Sequence, residues 1–152
     1  MMQRIARRFG LGALVASAMA LARPAEAAEE TEKAIYHLNQ PGGPEHAYYR
    51  QFLVNLRNHI EVLGQSRHEL RVVMHGAGVD LLRRAAHGEA QVAAMIDNLK
   101  LAGVRFEICR ITLQRNGYRL DEMYDAVEAD LVASGVVQVC RLQQQGFAYV
   151  KI

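Results

Sequence analysis

Short apolar runs alternate with segments of helical periodicity along this chain, and that alternation most restricts the possible fold. Between Ala28 and the C-terminus the strand candidates are residues 34–38, 70–74, 104–109, 127–133 and 147–152. Helical segments are predicted between them at about 45–63, 79–86, 89–101, 112–117, 120–126 and 134–145. Strands that alternate with helices pair in parallel, because each crossover needs a helix-length connection. We therefore predict an α/β fold with five parallel strands and helices on both faces of the sheet.

The first 27 residues have the features of a secretory signal peptide. Arginines near the start form a positive region, an apolar stretch covers residues 9–22, and Ala25-Glu26-Ala27 matches a cleavage site. The apolar stretch is too short to span a bilayer comfortably. We expect export to the periplasm, cleavage before Ala28, and a single domain at 28–152 without stable membrane association. An uncleaved anchor is the alternative, and the export route, Sec or twin-arginine, stays open.

Charge and glycine patterns argue against nucleic-acid and nucleotide binding. The chain has 18 Lys and Arg against 16 Asp and Glu, but four of the arginines and one glutamate lie in the leader. The mature chain is therefore slightly acidic, and no basic patch with interleaved aromatics remains, so we predict no nucleic-acid partner. Gly76-Ala77-Gly78 begins like a dinucleotide fingerprint but has Leu81 where the third glycine belongs. It is compatible with an anion-holding turn, but we predict no cofactor.

Reactive or polar side chains stand at the ends of the first three strand candidates. In an open parallel sheet these ends share one edge, and ligands bind there. We therefore expect one site, with Cys109 as its reactive residue and the others binding the ligand. Its predicted members are His37, Asn39, His75, Gly76, Cys109, Arg110 and Thr112.

Cys109 is the candidate nucleophile, since a thiolate rather than a thiol attacks. A cationic neighbour, Arg110, and a helical turn capped by Thr112 would both favour the thiolate. The alternative is that Cys109 is a small packed hydrophobe. Cys140 lies on an apolar stripe of the last helix and is expected to be buried. Whether Cys140 forms a disulfide with Cys109 stays open.

His37 and His75 are candidates for proton transfer at the same edge. Together with Cys109 they could also hold a soft or borderline metal, although their spacing matches no local metal motif. In the structural alternative, each histidine simply bonds to nearby backbone.

Three segments of the chain resemble the DsrE/DsrF-like family: residues 72–76, 103–113 and 134–151. The most specific parts are Cys-x-x-Thr-Leu from Cys109 and the closing Leu-Gln-x-x-Gly-x-Ala-Tyr-x-Lys. The resemblance implies a three-layer α/β/α sandwich with a five-stranded parallel sheet, assembled as a homo-oligomer. It also implies a persulfide carried on Cys109.

The resemblance implies a sulfur-handling protein whose partners are sulfur donor or acceptor thiol proteins, and the predicted signal peptide places that role in the periplasm. In this reading Cys109 is an accessible thiolate, His37 and His75 orient the donor, and Arg110 favours the anionic sulfur. The alternative is a non-enzymatic module that binds a metal or small ligand at the same edge, and a structural subunit is a third reading. Whether the chain is an enzyme stays open.

Overall fold

The computed structural model of the protein describes residues 31–64 and 67–152. The predicted signal peptide, its cleavage site and the alternative anchor lie outside these residues. Within the described ranges, no helix has both the length and the apolar character needed to cross a membrane.

Parallel strands form one five-stranded sheet in the order β4-β3-β2-β1-β5, which confirms the predicted α/β class. Every neighbouring pair in that order is parallel. Helices cover both faces of the central strands, and these strands accordingly carry apolar side chains on both faces. The strands are β1 Glu32–Leu38, β2 His68–Met74, β3 Arg105–Cys109, β4 Leu131–Val132 and β5 Ala148–Val150.

Helices on both faces of this sheet complete a three-layer sandwich. The helices are α1 Ala47–Leu63, α2 Asp80–Ala86, α3 Ala90–Leu101, α4 Arg110–Asn116 and α5 Gly135–Gln144. The buried residues of α1, among them Phe52, Leu56 and Ile60, recur at helical spacing as the sequence predicts. Helices α1, α2 and α3 pack against one another over one face, whereas α5 contacts β1, β2, β3 and β5 on the other.

The two faces of the sheet are filled unequally. The cluster under α1, α2 and α3 is large, whereas the cluster under α5 is a small group of buried apolar residues. This smaller cluster consists of Ile35, Val73, Val139, Leu142 and Phe147. Since side chains alternate along a strand, His37 and His75 share the α5 face with Ile35 and Val73. His37 and His75 at the strand ends therefore lie on the face that has the smaller apolar cluster.

The chain between β3 and α5 differs from its prediction. Cys109, rather than Thr112, is the N-cap of α4, because β3 runs directly into the helix without a loop. The helix predicted at 120–126 is only a 3-10 turn at Leu120–Glu122, since its many acidic residues supply no apolar stripe. The strand predicted at 127–133 shrinks to Leu131–Val132, which pairs with β3 at the edge of the sheet.

The prediction that Cys140 is buried is wrong: the residue is exposed. The buried side of α5 carries Val139 and Leu142, and the next position along a helix points about 100° away. Cys140 therefore lies on the outer side with Val136, which is 58% exposed. Cys109 and Cys140 are both free thiols.

Candidate functional site

The register of the sheet brings three candidate residues together at its carboxyl edge. Leu38 pairs with Met74 and Met74 pairs with Ile108, so the ends of β1, β2 and β3 are level. His75 and Cys109 follow these positions on adjacent strands, and His37 lies one position before Leu38. All three side chains are on the α5 face because they occupy alternate positions from Ile35, Val73 and Glu107.

The sulfur of Cys109 is surrounded by hydrogen-bond donors. Burial raises the pKa of the thiol, but hydrogen bonding from the Thr112 side chain and from the backbone of Gly135, Thr112 and Ile111 lowers it. Together these donors outweigh burial, so the thiol pKa lies below its ordinary value. The residue is only 5% exposed, which differs from the open thiol that the sequence leads one to expect. Cys109 is thus a thiolate-favouring but nearly covered residue.

Thr112 connects Cys109 to the end of β2. It is buried in the first turn of α4, where its hydroxyl oxygen accepts the Gly76 backbone N–H at 3.0 Å. The same hydroxyl donates toward the Cys109 sulfur. Gly76 has a φ of 54°, in the left-handed region that favours glycine. Thr112 therefore joins the end of β2 to the start of α4 and lowers the pKa of the Cys109 thiol, and it does not cap the helix.

The Gly76-x-Gly78 turn has a packing explanation. A Cβ atom on Gly78 would lie 2.1 Å from the backbone oxygen of Leu38, so the turn packs directly on the end of β1. This close approach of two backbones accounts for the glycine that resembled part of a nucleotide fingerprint.

The two histidines contact each other. His37 Nε2 lies 2.6 Å from His75 Nε2, and His37 Nδ1 lies 2.7 Å from the hydroxyl of Tyr149. Burial, the charge of His75 and the charge of Lys151 lower the pKa of His37 to about 4. Burial and the charge of Lys151 also lower the pKa of His75. Both imidazoles are therefore neutral at neutral pH, with one of them donating the shared hydrogen bond.

His75 links this pair to the thiol. A Cβ atom added to Gly135 would lie 3.0 Å from His75 Cβ and 3.4 Å from Cys109 Cβ. The first residue of α5 thus fits tightly between His75 and Cys109, and a side chain there would push against both. Gly135 therefore lies between His75 and Cys109, and contacts continue from His75 through His37 to Tyr149.

Residues near the C-terminus complete the edge. Lys151 Nζ donates to Asn39 Oδ1 at 2.6 Å, which places an ammonium group near the two histidines. Ion pairs within residues 31–64 and 67–152 do not include Lys151. Tyr149 is 42% exposed and pairs in register with Ile35. Lys151 therefore places one positive charge close enough to act on both histidines.

Arg110 is placed differently from the other candidates. Its guanidinium forms an ion pair with the exposed carboxylate of Glu128, and the thiol is bound by the Thr112 hydroxyl and backbone amides instead. The sequence places Arg110 next to Cys109, but consecutive residues at a helix start point in different directions.

Sequence reasoning missed three residues of this site: Gly135, Tyr149 and Lys151. A signal for two of them was present, because Phe147, Tyr149 and Lys151 alternate on one face of β5 and its extension. Gly135 left no such signal, since its contribution is a backbone amide that reaches Cys109 only after α5 crosses the sheet.

Metal binding gains no support from the arrangement of side chains. Across the described part of the chain, no group of three or more His, Cys, Asp or Glu residues could hold a metal ion. The histidine nitrogens that could bind a metal are directed at each other at hydrogen-bond distance.

Comparison with known proteins identifies the group to which this chain is related. The sequence profile of the DsrE/DsrF-like family matches residues 14–152, nearly the whole chain. The chain belongs to the DsrE/DsrF-like family. Membership in this family suggests a role related to sulfur relay, which fits a thiol at the centre of the site. No curated protein matches the chain significantly.

A solved structure supports the same relationship. The chain is similar to a protein of unknown function, MTH1491 from Methanobacterium thermoautotrophicum, with 26% sequence identity and a TM-score of 0.65. The match covers 80% of this chain and 99% of that protein. The three-layer sandwich is thus shared with another DsrE-type protein.

Proposed function

We propose that this protein carries sulfane sulfur as a persulfide on Cys109 and passes it to another thiol. The observation that supports this function is the surrounding of the Cys109 sulfur by the Thr112 hydroxyl and the amides of Ile111, Thr112 and Gly135. Such donors stabilise an anionic sulfur, and an anionic sulfur is the nucleophile in exchange reactions at sulfur. A merely packed cysteine would not need them.

The reaction is an exchange without net oxidation. The Cys109 thiolate attacks the terminal sulfur of a donor persulfide, and a new S–S bond forms between them. The S–S bond of the donor breaks, and the donor leaves as a thiolate that takes the bonding electron pair. Transfer to an acceptor thiolate repeats the same exchange, with Cys109 as the leaving thiolate.

The remaining residues of the site have supporting roles in this proposal. His75 and His37 are neutral, and His75 lies across Gly135 from Cys109, so in this proposal they orient the donor through hydrogen bonds without adding charge. Lys151 and Asn39 hold a positive charge at the rim, which attracts a donor or acceptor that carries negative charge. Arg110 has at most an indirect effect, because Glu128 neutralises it.

A cavity beside α5 is the candidate route to the thiol in this proposal. A cavity of about 470 Å³ lies between β4 and α5, lined in part by Val132, Ser134 and Val137. Val132 is the strand partner of Cys109, and Ser134 precedes the glycine that covers the sulfur. We propose that the sulfur of the donor enters from this cavity when the first turn of α5 moves slightly.

Mass spectrometry of the folded protein after treatment with a polysulfide tests the proposal. We expect the added mass of one sulfur atom on the peptide with Cys109, and its transfer to an added thiol. Cys140→Ser is the matched control and should load normally, because the exposed Cys140 lacks this surrounding of donors, whereas Cys109→Ser should not load. Native protein without added sulfur on Cys109, or with sulfur only on Cys140, would exclude the function.

The cellular setting is a second part of the proposal. We propose export to the periplasm with cleavage before Ala28, donor or acceptor thiol proteins as partners there, and self-association as the family resemblance implies. N-terminal sequencing of the periplasmic fraction tests the cleavage, and light scattering of the purified protein tests the oligomeric state. A cytoplasmic protein that keeps its first residues would contradict the first claim, and a monomer the last.

A further inference from the structure

We propose that Gln138 and Glu107 are positioning residues for the reactive thiol, because they hold the first turn of α5 where the Gly135 amide meets Cys109. This inference rests on the proposed function of Cys109 and adds the device that maintains its environment. Neither side chain needs to touch a sulfur donor for this role.

The two residues belong to a buried polar network between α5 and the sheet. Gln138 Nε2 donates to Glu107 Oε2 at 2.9 Å, and Arg71 Nη1 donates to Glu107 Oε1 at 2.7 Å. Arg71 also donates to Glu69 at 2.9 Å. Glu107 is 7% exposed, so its carboxylate depends on these donors. A buried charge that loses a partner is costly, and the bond to Gln138 therefore resists breaking.

Apolar packing alone holds the first half of α5 weakly. The helix buries the apolar side chains of Val139 and Leu142 in its second half, whereas Val136 and Val137 are 58% and 45% exposed. Gln138 lies between these groups and makes a polar contact to the sheet. It is three residues after Gly135 and therefore lies on nearly the same side of the helix.

The spacings on the two elements differ by about 2 Å, which the extended side chains of Gln138 and Glu107 can span. Glu107 and Cys109 are two positions apart on the same face of β3, a separation of roughly 6.6 Å. Gly135 and Gln138 are three positions apart on α5, a rise of roughly 4.5 Å. One end of the helix segment thus contacts Glu107 while the other contacts Cys109. A shift at the Gln138–Glu107 contact would move the Gly135 amide away from the sulfur.

The charge of Glu107 affects the Cys109 thiolate in the same direction as the position of the Gly135 amide. Glu107 is an acidic group two positions before Cys109 on the same face of β3, and Arg71 and Gln138 donate to its two oxygens. Without Gln138, one carboxylate oxygen loses its donor, and the thiolate faces a less neutralised anion. Both the displaced amide and the stronger negative field disfavour the thiolate.

The test measures the alkylation rate of Cys109 against pH in a Cys140→Ser background. The midpoint is the pH at which the alkylation rate of Cys109 reaches half of its limiting value. In Gln138→Met, which keeps the length of the side chain but not its donor, we expect this midpoint to rise by roughly one pH unit. The limiting rate at high pH should also rise, since the turn that covers the sulfur is held less firmly. Gln143→Met, at an exposed position of the same helix, should change neither quantity.

A second substitution separates position from charge. Glu107→Gln removes the negative charge but keeps an oxygen that can accept from Gln138, so the midpoint should stay or fall. If Gln138→Met does not fold, Gln138→Asn replaces it, because its amide is one methylene short of Glu107. An unchanged midpoint in a folded Gln138 variant, or a rise in Glu107→Gln, would overturn the inference.

These outcomes are independent of the sulfur-loading experiment. A midpoint that moves in a protein that never takes up sulfur would leave the positioning role intact and remove the proposed function. If Cys109 takes up sulfur normally but the midpoint of the Gln138 variant does not move, the proposed function stands and the positioning role is excluded. A purely structural role for Gln138 would lower the free energy of unfolding without moving the midpoint.

Discussion

Acidification from about pH 7.5 to about pH 5 should destabilise the folded protein through His37. The pKa of His37 is lowered from 6.5 to about 4 by burial and by the charges of His75 and Lys151. In this range the unfolded chain binds a proton that the folded protein does not bind. Stability from this source is therefore complete above pH 6.5, is lost as the pH falls toward 4, and changes no further below it.

The size of the effect follows from the two pKa values. A histidine with these values would lose about 2 kcal/mol of unfolding free energy between the two conditions. His37 is only partly buried, so solvent screening reduces the expected loss to about 1 kcal/mol. The pKa of His75 is lowered in the same direction, which adds to the loss in the wild-type protein.

Urea unfolding at both pH values, for the wild type and for His37→Gln, measures this loss. The glutamine keeps a polar group beside Tyr149 but does not titrate. We expect the wild type to lose about 1 kcal/mol more than the variant on acidification. Equal losses in the two proteins would refute the reasoning, because they would mean that His37 titrates alike in the folded and unfolded chains.

Other predictions follow from single contacts. Gly78→Ala should destabilise the protein by about 3 kcal/mol or prevent folding, because its Cβ would collide with the backbone of Leu38; a variant as stable as wild type in thermal unfolding would contradict this. Thr112→Val should raise the alkylation midpoint of Cys109 by roughly one pH unit through loss of the hydroxyl donor; an unmoved midpoint would show that the hydroxyl does not bind the sulfur. Arg110→Gln should leave this midpoint within about 0.3 pH unit, since its charge is paired; a rise beyond that would restore the electrostatic role expected from the sequence.

Strand and helix positions were predictable where periodicity is strong. Alternation in β3 separates Phe106 and Ile108 from Glu107 and Cys109, and the structure confirms that strand within one residue. Helical spacing likewise predicts α1 to within two residues at its start. The region from Leu120 to Val132 carries neither period clearly, and there the predicted helix and most of the predicted strand were wrong.

Orientation of a helix was harder to predict than its existence. Cys140 and Val136 form a stripe on α5, but the structure turns that stripe outward and buries Val139 and Leu142. Two adjacent stripes of a short helix can be almost equally apolar. The choice between them depends on which one meets Ile35 and Val73 on the sheet, and that contact is not local in the chain.

The sequence by itself determined the parallel sheet, the family and the meeting of His37, His75 and Cys109 at one edge. These follow from periodicities within short segments and from the rule that parallel strands end on the same side. Only the tertiary structure decided what surrounds the sulfur, the pairing of Arg110 with Glu128, and the placing of Gly135 and Lys151. Those contacts join residues far apart in the chain, so they depend on how α5 crosses the sheet and not on any pattern of neighbouring residues.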